Sequence, residues 1–106
     1  MNHLIEIELE KLGIPFSYLE HSSDDDTYIV YTDYDGRPGG FADNKEIMES
    51  YYYQFDIFSK SNLTQIEQDL KGLLFLLGGL RLSQFSHFEL GYYQKSIRFR
   101  FDKEKF

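Results

Sequence analysis

The sequence contains no cysteine and no tryptophan, and it has only two prolines. Without cysteine the chain has no thiol nucleophile, no thiolate–zinc site and no disulfide framework. This composition suits a reducing compartment, so we expect a cytoplasmic origin. The amino-terminal residues MNHLIEIELEK also lack the cationic start and long apolar run of a secretory signal, and no export signal is predicted.

Long apolar runs and basic residues are also scarce. The longest strictly apolar run is 73–77, whereas crossing a bilayer takes about 20 apolar residues, so no membrane partner is predicted. Eleven Lys and Arg stand against 18 Asp and Glu, which gives a net charge of −7. Non-specific affinity for nucleic acid comes mainly from basic side chains, so this balance argues against a general nucleic-acid-binding surface and leaves a local basic strip open.

Aromatic residues are abundant: the 106 residues include nine Tyr and ten Phe. A chain of this length is expected to form one domain that buries a core without metals or disulfides. Many of the rings lie in strand-like runs that are too crowded for one small core. Because aromatic residues are enriched at interface cores, we expect some of these rings to contact a partner.

The sequence of the first third of the chain predicts one helix and two strands. A helix is expected over residues 3–12, with Asn2 as N-cap and Gly13 just past its end, although 5–9 also alternates like a strand. Strands are predicted over 14–19 and 27–33, and a hairpin is the simplest arrangement of the two.

The rest of the chain predicts a mostly irregular segment over 34–48, then a strand over 49–60 with rings on both faces. A helix is expected over 63–77, where Asn62 and Gln65 have capping-box spacing and one stripe is apolar. Residues 80–90 have a mixed pattern of apolar and polar residues. A further strand is predicted over 93–101, followed by a frayed tail at 102–106. The resulting fold class is α+β, with about four antiparallel strands and both helices on one face.

No catalytic, metal or cofactor site is predicted. The acidic run 24–26 is most simply a solvated turn, and the segment from Asp33 lacks the glycine and glutamate positions of an EF-hand. The three histidines are scattered and lie in no hydrolase signature. The glycine-rich segment 36–40 lacks the ending of a phosphate-binding loop. The sequence Arg98-Phe99-Arg100-Phe101 interleaves cations and rings as RNA readers do, but strand alternation favours an amphipathic strand with Phe inward.

Three stretches, ADNKEI (42–47), YYYQFDIFSKSN (51–62) and GYYQKSIRFRF (91–101), together resemble the small tail-completion, or tail-terminator, proteins of long-tailed phages and prophages of Gram-positive bacteria. The resemblance implies a structural subunit without catalysis. It implies a ring, expected to be hexameric, that caps the tail tube at its head-proximal end and joins it to the head-completion proteins. The partners implied are therefore other copies of the chain, the tail tube protein and a head-completion protein. The location implied is the virion tail, after assembly in the host cytoplasm.

Two other interpretations stay open. A head-closure or other minor tail component would share the same setting, and a small nucleic-acid-binding module is the alternative from a different functional class. No specific nucleic acid is predicted as a partner. For the ring-forming interpretation, the residues expected at subunit contacts are Arg37, Phe41, Ile47, Met48, Tyr52, Arg98 and Arg100.

Overall fold

The computed structural model describes residues 1–20, 25–34 and 48–104, and it contains a five-stranded sheet and two helices. The predicted α+β class is confirmed. The strands lie in the order β1-β2-β3-β5-β4 across the sheet. The elements along the chain are α1 (Asn2–Glu10), β1 (Phe16–Tyr18), β2 (Thr27–Tyr34), β3 (Met48–Ser59), α2 (Thr64–Leu76), β4 (Gly79–Glu89) and β5 (Tyr92–Glu104).

The first two strands are parallel, so the predicted hairpin is wrong. Phe16 pairs with Ile29 and Tyr18 with Tyr31, and the remaining neighbours in the sheet are antiparallel. The sheet is therefore mixed and has five strands rather than about four antiparallel ones. Alternation within a strand reports which side chains share a face but carries no information on the direction of its neighbour, which is why the sequence did not reveal the parallel pair.

Both helices pack on one face of the sheet, which we call the helical face. Ile5 and Leu9 of α1 and Leu70 and Leu74 of α2 are fully buried there. They meet alternate residues of the three central strands, as expected because successive strand side chains point to opposite faces. The fully buried strand residues in this core are Ile29, Tyr31, Phe55, Ile57, Ile97, Phe99 and Phe101.

The helix ends differ from the predicted caps. Asn2 lies inside α1, and its Oδ1 accepts a hydrogen bond from the Tyr53 hydroxyl instead of capping the helix. Asn62 Oδ1 accepts the Thr64 N–H at 2.8 Å, but Gln65 donates to Asp69, so no capping box forms at α2. The apolar stripe of α2 is confirmed. Gly78, with φ +98°, follows its last turn as a typical terminating glycine.

Two predictions near the carboxyl end need correction. The segment 80–90, interpreted as mixed, belongs up to Glu89 to the edge strand β4, which has a bulge between Arg81 and Ser83 that interrupts its alternation. Strand β5 continues beyond Phe101 to Glu104, which pairs with Met48. The predicted fraying is therefore wrong for 102–104, while 105 and 106 lie outside the described residues.

Candidate interaction surface

The sheet face opposite the helices, which we call the open face, is where three of the predicted contact residues meet. No helix or strand in the described part of the chain packs on it. It is built from the alternate residues of β2, β3 and β5 that point away from the core. These are Tyr28, Val30, Thr32, Tyr34, Tyr52, Gln54, Asp56, Phe58, Tyr92, Gln94, Ser96, Arg98 and Arg100.

One end of the open face carries a tyrosine pair under an arginine. The rings of Tyr34 and Tyr52 lie 5.8 Å apart between centroids, and the Arg98 guanidinium carbon is 5.1 Å from the Tyr34 ring centre. Burial raises the pKa of the Tyr34 hydroxyl, and the nearby Arg98 charge opposes that rise. A planar guanidinium stacked on a ring is a contact that a lysine would not reproduce.

Arg98 is also the start of a hydrogen-bonded row across the sheet. Its Nε donates to Gln54 Oε1 at 2.9 Å, and Gln54 Nε2 donates to Asp56 Oδ1 at 3.0 Å. The Ser96 hydroxyl donates to the same Asp56 carboxylate. These contacts hold the polar middle of the open face in one arrangement before any partner arrives, which lowers the entropy cost of binding.

Arg100 lies beside Tyr52 in the strand register. Its Nη2 is 3.3 Å from Asp102 Oδ2, and Ser50 Oγ donates to that carboxylate at 2.7 Å. The Arg100 Nε atom is buried and has no hydrogen-bond partner among the described residues. A buried donor without a partner is costly, so a carbonyl or carboxylate brought to this position would be favoured.

A second aromatic cluster occupies the other end of the open face. The rings of Tyr28 and Phe58 stack at 4.8 Å, and Tyr92 meets Tyr28 edge-on at 5.8 Å. Lys60 Nζ lies 5.3 Å from the Tyr92 ring centre. The open face therefore has an aromatic group with a cation at each end and a polar row between them.

The predicted contact residues have three different outcomes. Tyr52, Arg98 and Arg100 share the open face, as the predicted alternation requires. Met48 is the first residue of β3, and its side chain lies outside the described atoms. Arg37, Phe41 and Ile47, and with them residues 35–47 of the predicted irregular segment, lie outside the described residues, while Tyr34 and Met48 at its two ends belong to β2 and β3.

The two phenylalanines of the Arg98–Phe101 run face the core. Phe99 and Phe101 are fully buried, so neither ring is available to stack on a base, and the amphipathic-strand interpretation is confirmed. The described residues also contain no group of three or more His, Asp or Glu side chains placed to hold a metal ion.

Comparison with known proteins adds information on the fold alone. No family model matches the sequence, and no curated protein matches it. One solved structure, whose name describes no function, shares the fold at a TM-score of 0.54 and 10% sequence identity. The match covers 100% of this chain and 96% of that one. Among the described residues, no helix is long and apolar enough to cross a bilayer.

Sequence reasoning missed the exposed apolar residues of β4 and its hairpin with β5. Leu82 is 47% exposed, Phe85 53%, Phe88 57% and Leu90 89%. The signal in the sequence was the recurrence of apolar residues through 80–90, but the bulge shifts its period and the run fits neither a helix nor a regular strand. This edge adds a further exposed surface: Phe85 lies beside Ser96 of the open face, whereas Phe88 lies beside Tyr93 on the other side of the sheet.

A cleft of about 370 Å³ lies between the start of α2 and the β4–β5 hairpin. Glu67 is one of its lining residues, 2.7 Å from Lys71 Nζ and 3.4 Å from Lys95 Nζ. Burial would raise the pKa of Glu67, but the two lysines outweigh it and the pKa is below its usual value. On the rim, His87 Nε2 lies 2.7 Å from Glu89 Oε1. The charged side chains at this cleft are paired with one another, so none of them stands out as a reactive group.

Proposed function

We propose that this chain is a structural subunit of a phage or prophage tail, which forms a ring that terminates the tail tube and joins it to the head-completion proteins. The ring is proposed to be a hexamer. The observation that supports the proposal is the open face, where Tyr52, Arg98 and Arg100 lie together and no described helix or strand covers them.

The composition of the open face suits a protein partner. Tyrosine and arginine are the residue types that most often carry binding energy at interfaces, because each brings a large contact area with directional hydrogen bonds. Here Arg98 is already held by Tyr34 and Gln54, so little side-chain freedom is left to lose on binding. An acidic or carbonyl-rich patch would complement the two arginines.

A ring requires that this face meet a different patch on the neighbouring copy. Such head-to-tail contacts close into a ring when the rotation between copies is a fraction of a full turn. The net charge of −7 also suits a lumen through which DNA passes without being retained.

Electron microscopy of the purified chain mixed with tail tubes tests the proposal directly. We expect a ring at one end of each tube, and we expect Arg98→Glu to abolish it because the reversed charge would face the same partner surface. Lys11→Glu is the matched control, since it reverses an exposed charge on the helical side of the molecule, where Lys11 pairs with Glu8. Both variants must keep the circular dichroism spectrum and melting temperature of the parent.

The possible results separate the alternatives. Density on the head side of a tube that is already closed would indicate a head-closure component instead. Retention of the chain on DNA or RNA that weakens steeply with salt would favour the nucleic-acid-binding module. Tubes that stay bare, or rings that tolerate Arg98→Glu as well as Lys11→Glu, would defeat the proposal.

A further inference from the structure

Strand β4 is an open sheet edge. It is the last strand in the sheet order, and no other strand in the described residues pairs with its outer side. Natural proteins protect such edges with proline, lysine or very short strands, because free N–H and C=O groups recruit another strand. Strand β4 has 11 residues with neither proline nor lysine, and its apolar side chains are about half exposed. Its bulge lies between Arg81 and Ser83, so 83–89 is a regular edge. The opposite edge, β1, has three residues.

From this edge we infer that the free protein pairs with a second copy of itself, β4 against β4, in an antiparallel two-fold arrangement with Phe85 opposite Phe85. The two sheets then form one continuous sheet. This inference does not rest on the proposed function, because the contact it uses is the backbone edge of β4 and not the residues Tyr52, Arg98 and Arg100.

The side chains of β4 favour this register over the other registers that a two-fold axis allows. With the axis at Phe85, the two Phe85 rings lie opposite each other, Ser83 lies opposite His87 of the other copy, and the polar Gln84 lies opposite Ser86. Moving the axis to Gln84 would place Phe85 opposite Ser83, and moving it to Ser86 would place Phe85 opposite His87. Matched apolar pairs across strands are stabilising, so the register centred on Phe85 is preferred.

The hairpin tip supplies a further apolar contact. Leu90 has φ +55° and is 89% exposed, so an apolar side chain is held in a backbone conformation that favours glycine or asparagine and is left in water. In the paired arrangement this tip lies beside the Leu80 end of the second copy, where an exposed leucine gains a partner.

Single cysteines test the register, because the chain has none of its own. Directly opposite residues of antiparallel strands have Cα atoms about 4.5 to 5.5 Å apart, which is within reach of a disulfide. Under mild oxidation of the full chain, we expect Phe85→Cys to form a covalent dimer at least about tenfold faster than Leu4→Cys, because the paired strands raise the local thiol concentration. Leu4 is a matched control, 42% exposed on α1.

Two further variants fix the axis. Ser83→Cys alone should not cross-link, since its copies would be at least about 13 Å apart along the strands. A mixture of Ser83→Cys and His87→Cys should cross-link, because these residues lie opposite each other in the inferred register.

A charge variant supplies an independent measurement. Phe85→Lys should convert the dimer seen by sedimentation velocity into a folded monomer with the parent circular dichroism spectrum. The inference is overturned if the parent chain sediments as a monomer, if Phe85→Cys cross-links no faster than Leu4→Cys, if only a different cysteine pair cross-links, or if Phe85→Lys stays dimeric.

Discussion

Two glycines, one inside α2 and one just after it, show how strongly a single residue's surroundings determine its role. A Cβ at Gly79 would lie 2.7 Å from Phe101 Cε1 and 2.9 Å from the Leu74 carbonyl oxygen. A Cβ at Gly72, inside α2, would meet nothing within 4 Å. The first glycine is therefore required by packing, and the second only weakens its helix.

We accordingly predict opposite effects for two identical substitutions. Gly79→Ala should lower the free energy of unfolding by about 1 to 3 kcal/mol, because a methyl group overpacks the core against backbone that cannot yield. Gly72→Ala should raise it by about 0.5 to 1 kcal/mol through helix propensity. Urea unfolding of both variants beside the parent measures the difference, and equal shifts would refute this account of Gly79.

Predictions for single residues succeeded where local alternation determines the direction of a side chain. They failed where a residue distant in the sequence determines its hydrogen bond. The burial of Phe99 and Phe101 between exposed or half-exposed arginines follows from period-two alternation alone. Asn2 was expected to cap α1, but its amide is used by Tyr53, which is far away in the sequence. No local pattern could have revealed that competition.

At the scale of elements, helix α2 was predicted almost to the residue because its apolar stripe repeats regularly. Its centre is Leu70, which is fully buried between the sheet and α1. We predict that Leu70→Asp unfolds the domain, because burying an unpaired carboxylate costs several kcal/mol of a total of about 5 to 15 kcal/mol. Gln68→Asp, at an exposed position of the same helix, should leave the melting curve nearly unchanged. A thermal melt of Leu70→Asp that matched the parent would contradict the packing of α2.

The β4–β5 hairpin is the element that the sequence concealed. Its turn residues Leu90 and Gly91 both have positive φ, as a two-residue type I′ turn requires, but Leu in place of the usual Asn hides the signal. The bulge in β4 then removes the alternation that would have identified the strand. The sequence therefore carried no clear signal for either the turn or the strand.

The same turn allows a stabilising substitution. Leu90→Asn should raise the unfolding free energy by about 0.5 to 1 kcal/mol, because asparagine tolerates the left-handed conformation that leucine resists. Urea unfolding at low protein concentration measures the effect on the single chain. Gly91→Asn, at the other turn residue, provides the comparison and should not stabilise.

For the whole molecule, buried tyrosines limit the stability of the fold at alkaline pH. Burial, followed by the nearby Asp33 charge, raises the pKa of Tyr53 from 10 to about 12. Burial and the hydrogen bond to Glu6 raise the pKa of Tyr31 further. Because each folded pKa lies above the unfolded one, each hydroxyl contributes stability that is complete below pH 10 and is lost as the pH rises through its folded pKa, which for Tyr53 is about 12.

We therefore predict a melting temperature that falls steeply between pH 10 and about 12. Tyr53→Phe should lose the Asn2 hydrogen bond, and with it some stability at neutral pH, yet show a shallower decline in this window. Melts monitored by circular dichroism at several pH values compare the two chains. A variant whose decline parallels that of the parent would show that deprotonation of Tyr53 is not the cause.

The α+β class and the arrangement of helices on one face of a sheet could be predicted from composition and hydrophobic periodicity. A helix with one apolar stripe and strands with one apolar face have few ways to pack. Strand order and direction could not be predicted, since they depend on which pairings close the sheet. The parallel β1–β2 pair and the outer position of β4 are the results of that closure.

The central pairing of the sheet has a kinetic consequence. Strand β3 pairs along its whole length with β5, yet helix α2 and strand β4 intervene between them in the chain. The β4–β5 hairpin and α2 can form from neighbouring residues within microseconds, whereas docking β3 onto β5 must first close a long loop. The rate-limiting step of folding should therefore be this closure, and refolding should take milliseconds to seconds, as in other domains dominated by distant contacts.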